Sequence, residues 1–180
     1  MEKNLTHIAL FAALIAVLGL VPKIDLISGV PITAQSLGIM LCGTVLGSKR
    51  GALAVLLFLG LTAAGLPLLA GGRGGIGVFA GPSVGYLIGF PVAAFVAGLV
   101  VEHWRAPLAY AAFAGAVLGG IVVLYAFGIP GMMLVLGKSL PEAALLAIPF
   151  LAGDLIKALL CALITQTIAR MRPTALLSRA

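Results

Sequence analysis

The stretch PFLAGDLIKALLCALI, residues 149–164, is apolar enough to cross a bilayer as one helix, yet Asp154 and Lys157 stand in the middle of it. Facing lipid, each charge would cost about 2.5–3.5 kcal/mol on insertion scales. The fold must therefore turn both inward, and their spacing of three puts them on one helix face. The rest of the chain agrees with such a bundle: 62% of residues are hydrophobic and 9% charged, and the mean hydropathy of +1.25 excludes a soluble globular surface. The sequence reads as an all-α integral membrane protein, one transmembrane domain over residues 1–180. Its length allows about six spans of about 20 residues and leaves no room for a soluble domain or an ATP-binding cassette.

Hydropathy predicts helices over Leu5–Val21, Thr33–Gly47, Gly51–Ala64, Ser83–Val101, Ala106–Phe127 and Ala144–Ala169. The first has the basic start of a secretory signal, but its long apolar run ends in Val21-Pro22-Lys23, so a retained helix is expected. With both termini inside, Lys3, Lys49, Arg50, Arg105, Arg170, Arg172 and Arg179 lie on the cytoplasmic side, against Lys23, Arg73 and Lys138 outside. The positive-inside rule favours that orientation in the cell membrane. The net charge of +6 is scattered through loops without interleaved aromatics, so nucleic acid is not an expected partner. Ser139 and Glu142 predict a capping box for the last helix, with Pro149 as a kink site and Arg170 and Arg172 at its inner end. Asp154 is sixteen residues before Arg170, about 24 Å along a helix and thus in the outer half of the bilayer.

The second and third predicted spans are shorter than a hydrocarbon core requires. The segment GLPLLAGGRGGIGVFAGPSVGYLIGF, residues 65–90, holds nine glycines and predicts a non-helical outer loop. The segment PKIDLISGVPITAQSL, residues 22–37, reads the same way. Irregular backbone at membrane depth is tolerable only where protein buries it or a cavity wets it. No inverted or tandem repeat is visible, which argues against a paired-half transporter.

The Asp154–Lys157 pair has two readings: a structural salt bridge pinning helices, or a ligand site or proton pathway. Buried pairs often fail to recover their desolvation cost, so the second is favoured. Cys42 and Cys161 fall within predicted helices as apolar packers. Asp25 and Glu142 read as solvated loop charges, and His7 and His103 lack metal-ligand spacing. No nucleophile–base arrangement, phosphate loop or metal cluster points to an enzyme or a cofactor.

Three motifs in order, PITAQSL, AGGRGG…GPSVGYLIGF and GDLIKA, resemble the BioY family, the biotin-specific S components of energy-coupling factor transporters. The resemblance covers nearly the whole chain. It departs where Ser83, Val84 and the run PLLAGG replace the family's usual Thr, Gly and PVFAGG. It implies a six-helix vitamin-binding membrane subunit without an ATPase of its own, working with a transmembrane coupling subunit and a pair of ATP-binding cassette ATPases.

The resemblance also implies that Asp154 and Lys157 contact the ligand, and biotin makes chemical sense of them. Its ureido ring carries two N–H donors and one carbonyl acceptor, complementing a carboxylate and an ammonium. For the valerate carboxylate the chain offers Arg73, between glycines whose N–H groups can form an anion nest; a plain surface charge is the alternative. Gly72 and Gly74 have no Cβ to obstruct a ligand. Gln35 is either a neutral ligand contact or the group that satisfies the start of the second helix, and Tyr86 either stacks on the bicyclic ring or is an interfacial tyrosine. In the first helix Ala9, Ala13 and Ala16 form a small-residue stripe with Ala12 beside it. Routine bundle packing would explain it, while the resemblance implies the surface that docks on the coupling subunit. The other readings are an S component for another vitamin, an ion-coupled secondary carrier using Asp154, and an assembly protein using the pair as a lock.

Overall fold

A computed structural model describes residues 2–179, with the side chain of Lys3, one of the counted inner charges, outside the described residues. Among these residues the chain is all-helical, with two isolated β-bridges and no strand. Six helices run in order: α1 Glu2–Leu18, α2 Gln35–Leu46, α3 Ser48–Ala63, α4 Val84–His103, α5 Leu108–Leu136 and α6 Leu140–Met171. The last three are long and apolar enough to cross a membrane; α1 and α2 are shorter apolar helices. α4 packs against α2, α3 and α5, α6 closes on α2 and α5, and α1 lies on α2 and α3.

The helix surfaces are inverted relative to a soluble protein. Along α6, Leu145, Ile148, Ile156, Leu159 and Leu163 are exposed, while Asp154 is 5% exposed and Thr165 fully buried. Such an apolar exterior suits hydrocarbon, where association relies on close packing because lipid removes the hydrophobic drive between helices. Small residues supply that contact. A Cβ on Gly43 would sit 2.3 Å from the Ala94 carbonyl of α4, and one on Gly119 would sit 2.2 Å from the Ala93 carbonyl. Among the exposed positions Gly60 of α3 is different, since a Cβ there meets nothing within 4 Å.

Local punctuation sets the helix ends. Gly47, at φ 88°, is the only residue between α2 and α3, and the Glu102 carboxylate from α4 caps the new helix through Ser48 N at 2.8 Å and Ser48 Oγ at 2.7 Å. The expected capping box opens α6, with Ser139 N donating to Glu142 Oε2 at 2.8 Å. α5 runs nine residues beyond its predicted end at Phe127, through Gly128, Pro130 and Gly131. Tertiary packing outweighs these helix breakers: Gly128 lies flat against the Tyr86 ring and Gly131 against the Gly85 backbone. A π-helical segment over Leu118–Val123 precedes that stretch, where Gly119 and Gly120 meet α4 and Met40.

Two irregular segments meet at one end. Residues 19–34 are tied by an Ile24–Ile32 bridge, and residues 64–83 by a Leu69–Arg73 bridge followed by a 3-10 turn, Ile76–Ala80. Gln35 joins them: its Nε2 donates to Ile15 O at 3.1 Å and Leu68 O at 3.0 Å, and its Oε1 accepts from Ala70 N at 3.0 Å.

The packing predicts opposite outcomes for two glycines. Gly43→Val should abolish recovery of monodisperse protein in mild detergent, because the Ala94 backbone cannot yield. Gly60→Ala should leave thermal stability unchanged or raise it by up to about 1 kcal/mol, the helix-propensity difference. A melting series by light scattering checks both.

Candidate ligand site

Two other helices, α2 and α5, bring side chains to the charged pair of α6. Asp154 Oδ1 accepts from Lys157 Nζ at 2.9 Å and from Ser36 Oγ of α2 at 3.3 Å; its Oδ2 accepts from the Tyr125 hydroxyl of α5 at 2.9 Å. Ser36 Oγ in turn accepts from Lys157 Nζ at 2.9 Å. Each lone pair satisfied in this way lowers the cost of holding the ions away from water. A carboxylate has about four acceptor positions and an ammonium three donors. One position on Asp154 Oδ2 and one N–H of Lys157 therefore remain to be used.

The network forms one wall of a cavity of about 60 Å³ that reaches the two irregular segments. Aromatic and aliphatic groups from α4, α5 and α6, namely Tyr86, Phe90, Leu124 and Phe150, face Val30, Pro31, Ile32, Leu69 and Arg73 from the loops. Tyr86 is 7% exposed, meets Tyr125 edge-on with ring centroids 6.3 Å apart, and tilts against Phe150 at 5.9 Å. Among the described residues its buried hydroxyl makes no hydrogen bond. A larger cavity of about 770 Å³ lies at the opposite end of α2 and α4, away from Asp154.

The candidates from sequence separate into groups. Asp154, Lys157, Gln35, Tyr86 and Arg73 all line the small cavity. Gln35 spends its amide on three backbone groups, one in α1 and two in residues 64–83, and none at the start of α2. Arg73 Nε donates to Ala70 O at 3.3 Å, leaving the terminal nitrogens of its guanidinium available. Gly72 and Gly74 stand outside the lining. Gly72, at φ 70°, turns the chain back toward Arg73, and a Cβ on Gly74 would collide with Leu66 O at 2.2 Å. Ala9 and Ala13 are exposed on α1, Ala16 is half-buried and Ala12 is buried. Asp25 pairs with Lys23, and among the described residues no His, Cys, Asp and Glu cluster could hold a metal.

Ser36, Tyr125, Phe90 and Phe150 were not foreseen. Ser36 sits in the PITAQSL motif, and Tyr125 is a half-buried polar group within a run lacking any charge from Ala106 to Gly137. A hydroxyl in such a run must find a partner, which was the available signal.

Comparison with known proteins bears on the family and the fold. The BioY family profile matches residues 2–174. The biotin transporter BioY of Rhodobacter capsulatus is 57% identical, over 99% of this chain and 100% of its own. That of Rhizobium etli is 47% identical over 92% of both. Among solved structures, the S-component for biotin from an ECF-type ABC transporter superposes with a TM-score of 0.89 at 32% identity, covering 94% of this chain and 92% of the other. By its sequence along nearly all its length and by its fold, the chain belongs to the BioY family.

Proposed function

We propose that this membrane protein captures biotin in the cavity beside Asp154 and delivers it inward as the substrate-specific subunit of an energy-coupling factor transporter. The observation that carries the reading is the set of unused hydrogen-bonding positions: an acceptor on Asp154 Oδ2, a donor on Lys157 and the unpartnered Tyr86 hydroxyl. A ureido N–H donates to Oδ2, and its carbonyl accepts from Lys157 and Tyr86. The second N–H reaches Oδ1 when Ser36 turns away. The apolar part of the bicycle lies against Phe90 and Phe150, and Arg73 takes the valerate carboxylate from the loop side. The relatives that carry biotin in their names, at 57% and 47% identity, support the same ligand. An ion-coupled carrier fits less well, because the Lys157 ammonium already occupies the carboxylate that a cation would need.

At about 60 Å³ the cavity is below the roughly 300–1,000 Å³ of typical small-molecule sites. Binding therefore requires residues 22–33 and 65–82 to move apart. We place both segments outside, with all six helices crossing the cell membrane and both termini cytoplasmic, following the charge count. The exposed face of α1 at Ala9 and Ala13 is open to another helix, so the same reading gives it to a transmembrane coupling subunit, which in turn carries the ATPases.

Titration of purified protein with biotin tests the site. Asp154→Asn should weaken binding by about ten- to a hundredfold, since hydrogen bonds to charged groups contribute roughly 1.5–3 kcal/mol. Lys157→Met should do comparable harm, and the double variant should lose less than the two effects combined because the residues share one network. Parental affinity in both folded single variants would make the pair a structural lock.

The orientation is checked by single-cysteine labelling at Ile76, which is 80% exposed, in a background without Cys42 and Cys161. An impermeant reagent should label it in intact cells. Labelling only after membrane disruption inverts the topology. For docking, Ala13→Trp should preserve biotin binding by the isolated subunit while co-purification with a coupling subunit and ATP-driven uptake fail.

A further inference from the structure

The end of the bundle away from Asp154 holds the larger cavity, about 770 Å³, an open pocket lined by the α2–α3 turn, the C-terminal end of α4 and the tail after α6. Its charges do not balance. Among the described residues, Lys49, Arg50, Arg105 and Arg179 line it with a single carboxylate, Glu102. Glu102 gives one oxygen to Ser48 N and the other to Ser48 Oγ, so it serves as the cap of α3 and makes no ion pair with any of the four. Arg50 donates to the carbonyls of Leu46 at 3.4 Å and Leu177 at 3.2 Å. Arg179 donates to those of Val101 at 3.3 Å and of Trp104 and Ala106 at 2.8 Å. These neutral acceptors fix two guanidiniums without cancelling their charge. Among the described residues the side chains of Lys49 and Arg105 make no hydrogen bond or ion pair.

We infer that this cavity binds the phosphate group of an anionic phospholipid. Four cations with one committed carboxylate around a cavity suit a phosphate oxyanion, whose several acceptor oxygens can meet more than one basic group. The lipid origin follows from depth: the cavity sits where apolar α4 ends, and half-exposed Trp104 marks that end as a membrane–water boundary. Basic pockets at helix ends are an established way of holding such headgroups. An excess of positive charge needed only for topology would require neither the cavity nor the anchoring of Arg50 and Arg179 on backbone.

Native mass spectrometry of the full chain released from detergent measures retained lipid. The probes are phosphatidylglycerol, phosphatidylcholine and, separately, inorganic phosphate in lipid-free micelles. The parent should prefer phosphatidylglycerol, and the Lys49→Gln/Arg105→Gln double variant should lose that preference by about thirtyfold, taking each basic group at its usual surface contribution. Both side chains are exposed and make no such bonds, so the variant should fold, which its thermal melt verifies. Equal retention of both lipids by the parent, or an unchanged preference in the double variant, overturns the proposal. Saturation by inorganic phosphate alone at concentrations that displace phosphatidylglycerol overturns the lipid assignment.

Discussion

A buried carboxylate and a part-buried ammonium in an apolar bundle are tolerable only where most of their polar positions find partners. That requirement draws together helices far apart in the chain. Ser36 of α2, Tyr125 of α5 and the Asp154–Lys157 pair of α6 form one network, and Tyr86 of α4 touches it through the Tyr125 ring. Close packing elsewhere makes the convergence possible. Where Gly43 and Gly119 meet the α4 carbonyls there is no space for a methyl group, so α2 and α5 hold fixed positions around α4.

The same rule governs the irregular backbone. Residues 64–83 carry amides and carbonyls that no continuous helix satisfies, and the Gln35 amide meets two of them, Leu68 O and Ala70 N, together with Ile15 O of α1. A residue that looks like a ligand contact thereby fastens the loop beside the ligand cavity. The glycines near Arg73 act in the same manner, shaping the turn that presents the guanidinium.

Much of this was legible in sequence for local reasons. Hydropathy placed six helices close to their positions, the Ser139–Glu142 capping box formed as its spacing predicts, and a separation of three put Asp154 and Lys157 on one face. The misjudged features were those decided by contacts with distant residues. Gly128, Pro130 and Gly131 locally argue for a helix end, yet the Tyr86 ring and Gly85 backbone fill the narrow surface they create and α5 continues. Gly72 and Gly74 differ in the same way: a Cβ on Gly72 would meet nothing within 4 Å, whereas one on Gly74 would meet the Leu66 carbonyl across the fold of the loop, a contact that leaves no local trace.

What the sequence by itself determined is therefore the membrane setting, the helix order and the obligation of Asp154 and Lys157 to face inward, because the cost of charge in hydrocarbon depends only on residue type and period. The tertiary structure decided which groups meet them. The partners of Asp154 are 29 residues away at Tyr125 and 118 away at Ser36, a pairing that no local pattern encodes. It follows from how α2, α5 and α6 pack through their smallest side chains, and that packing leaves one acceptor, one ammonium proton and one tyrosine hydroxyl beside the cavity.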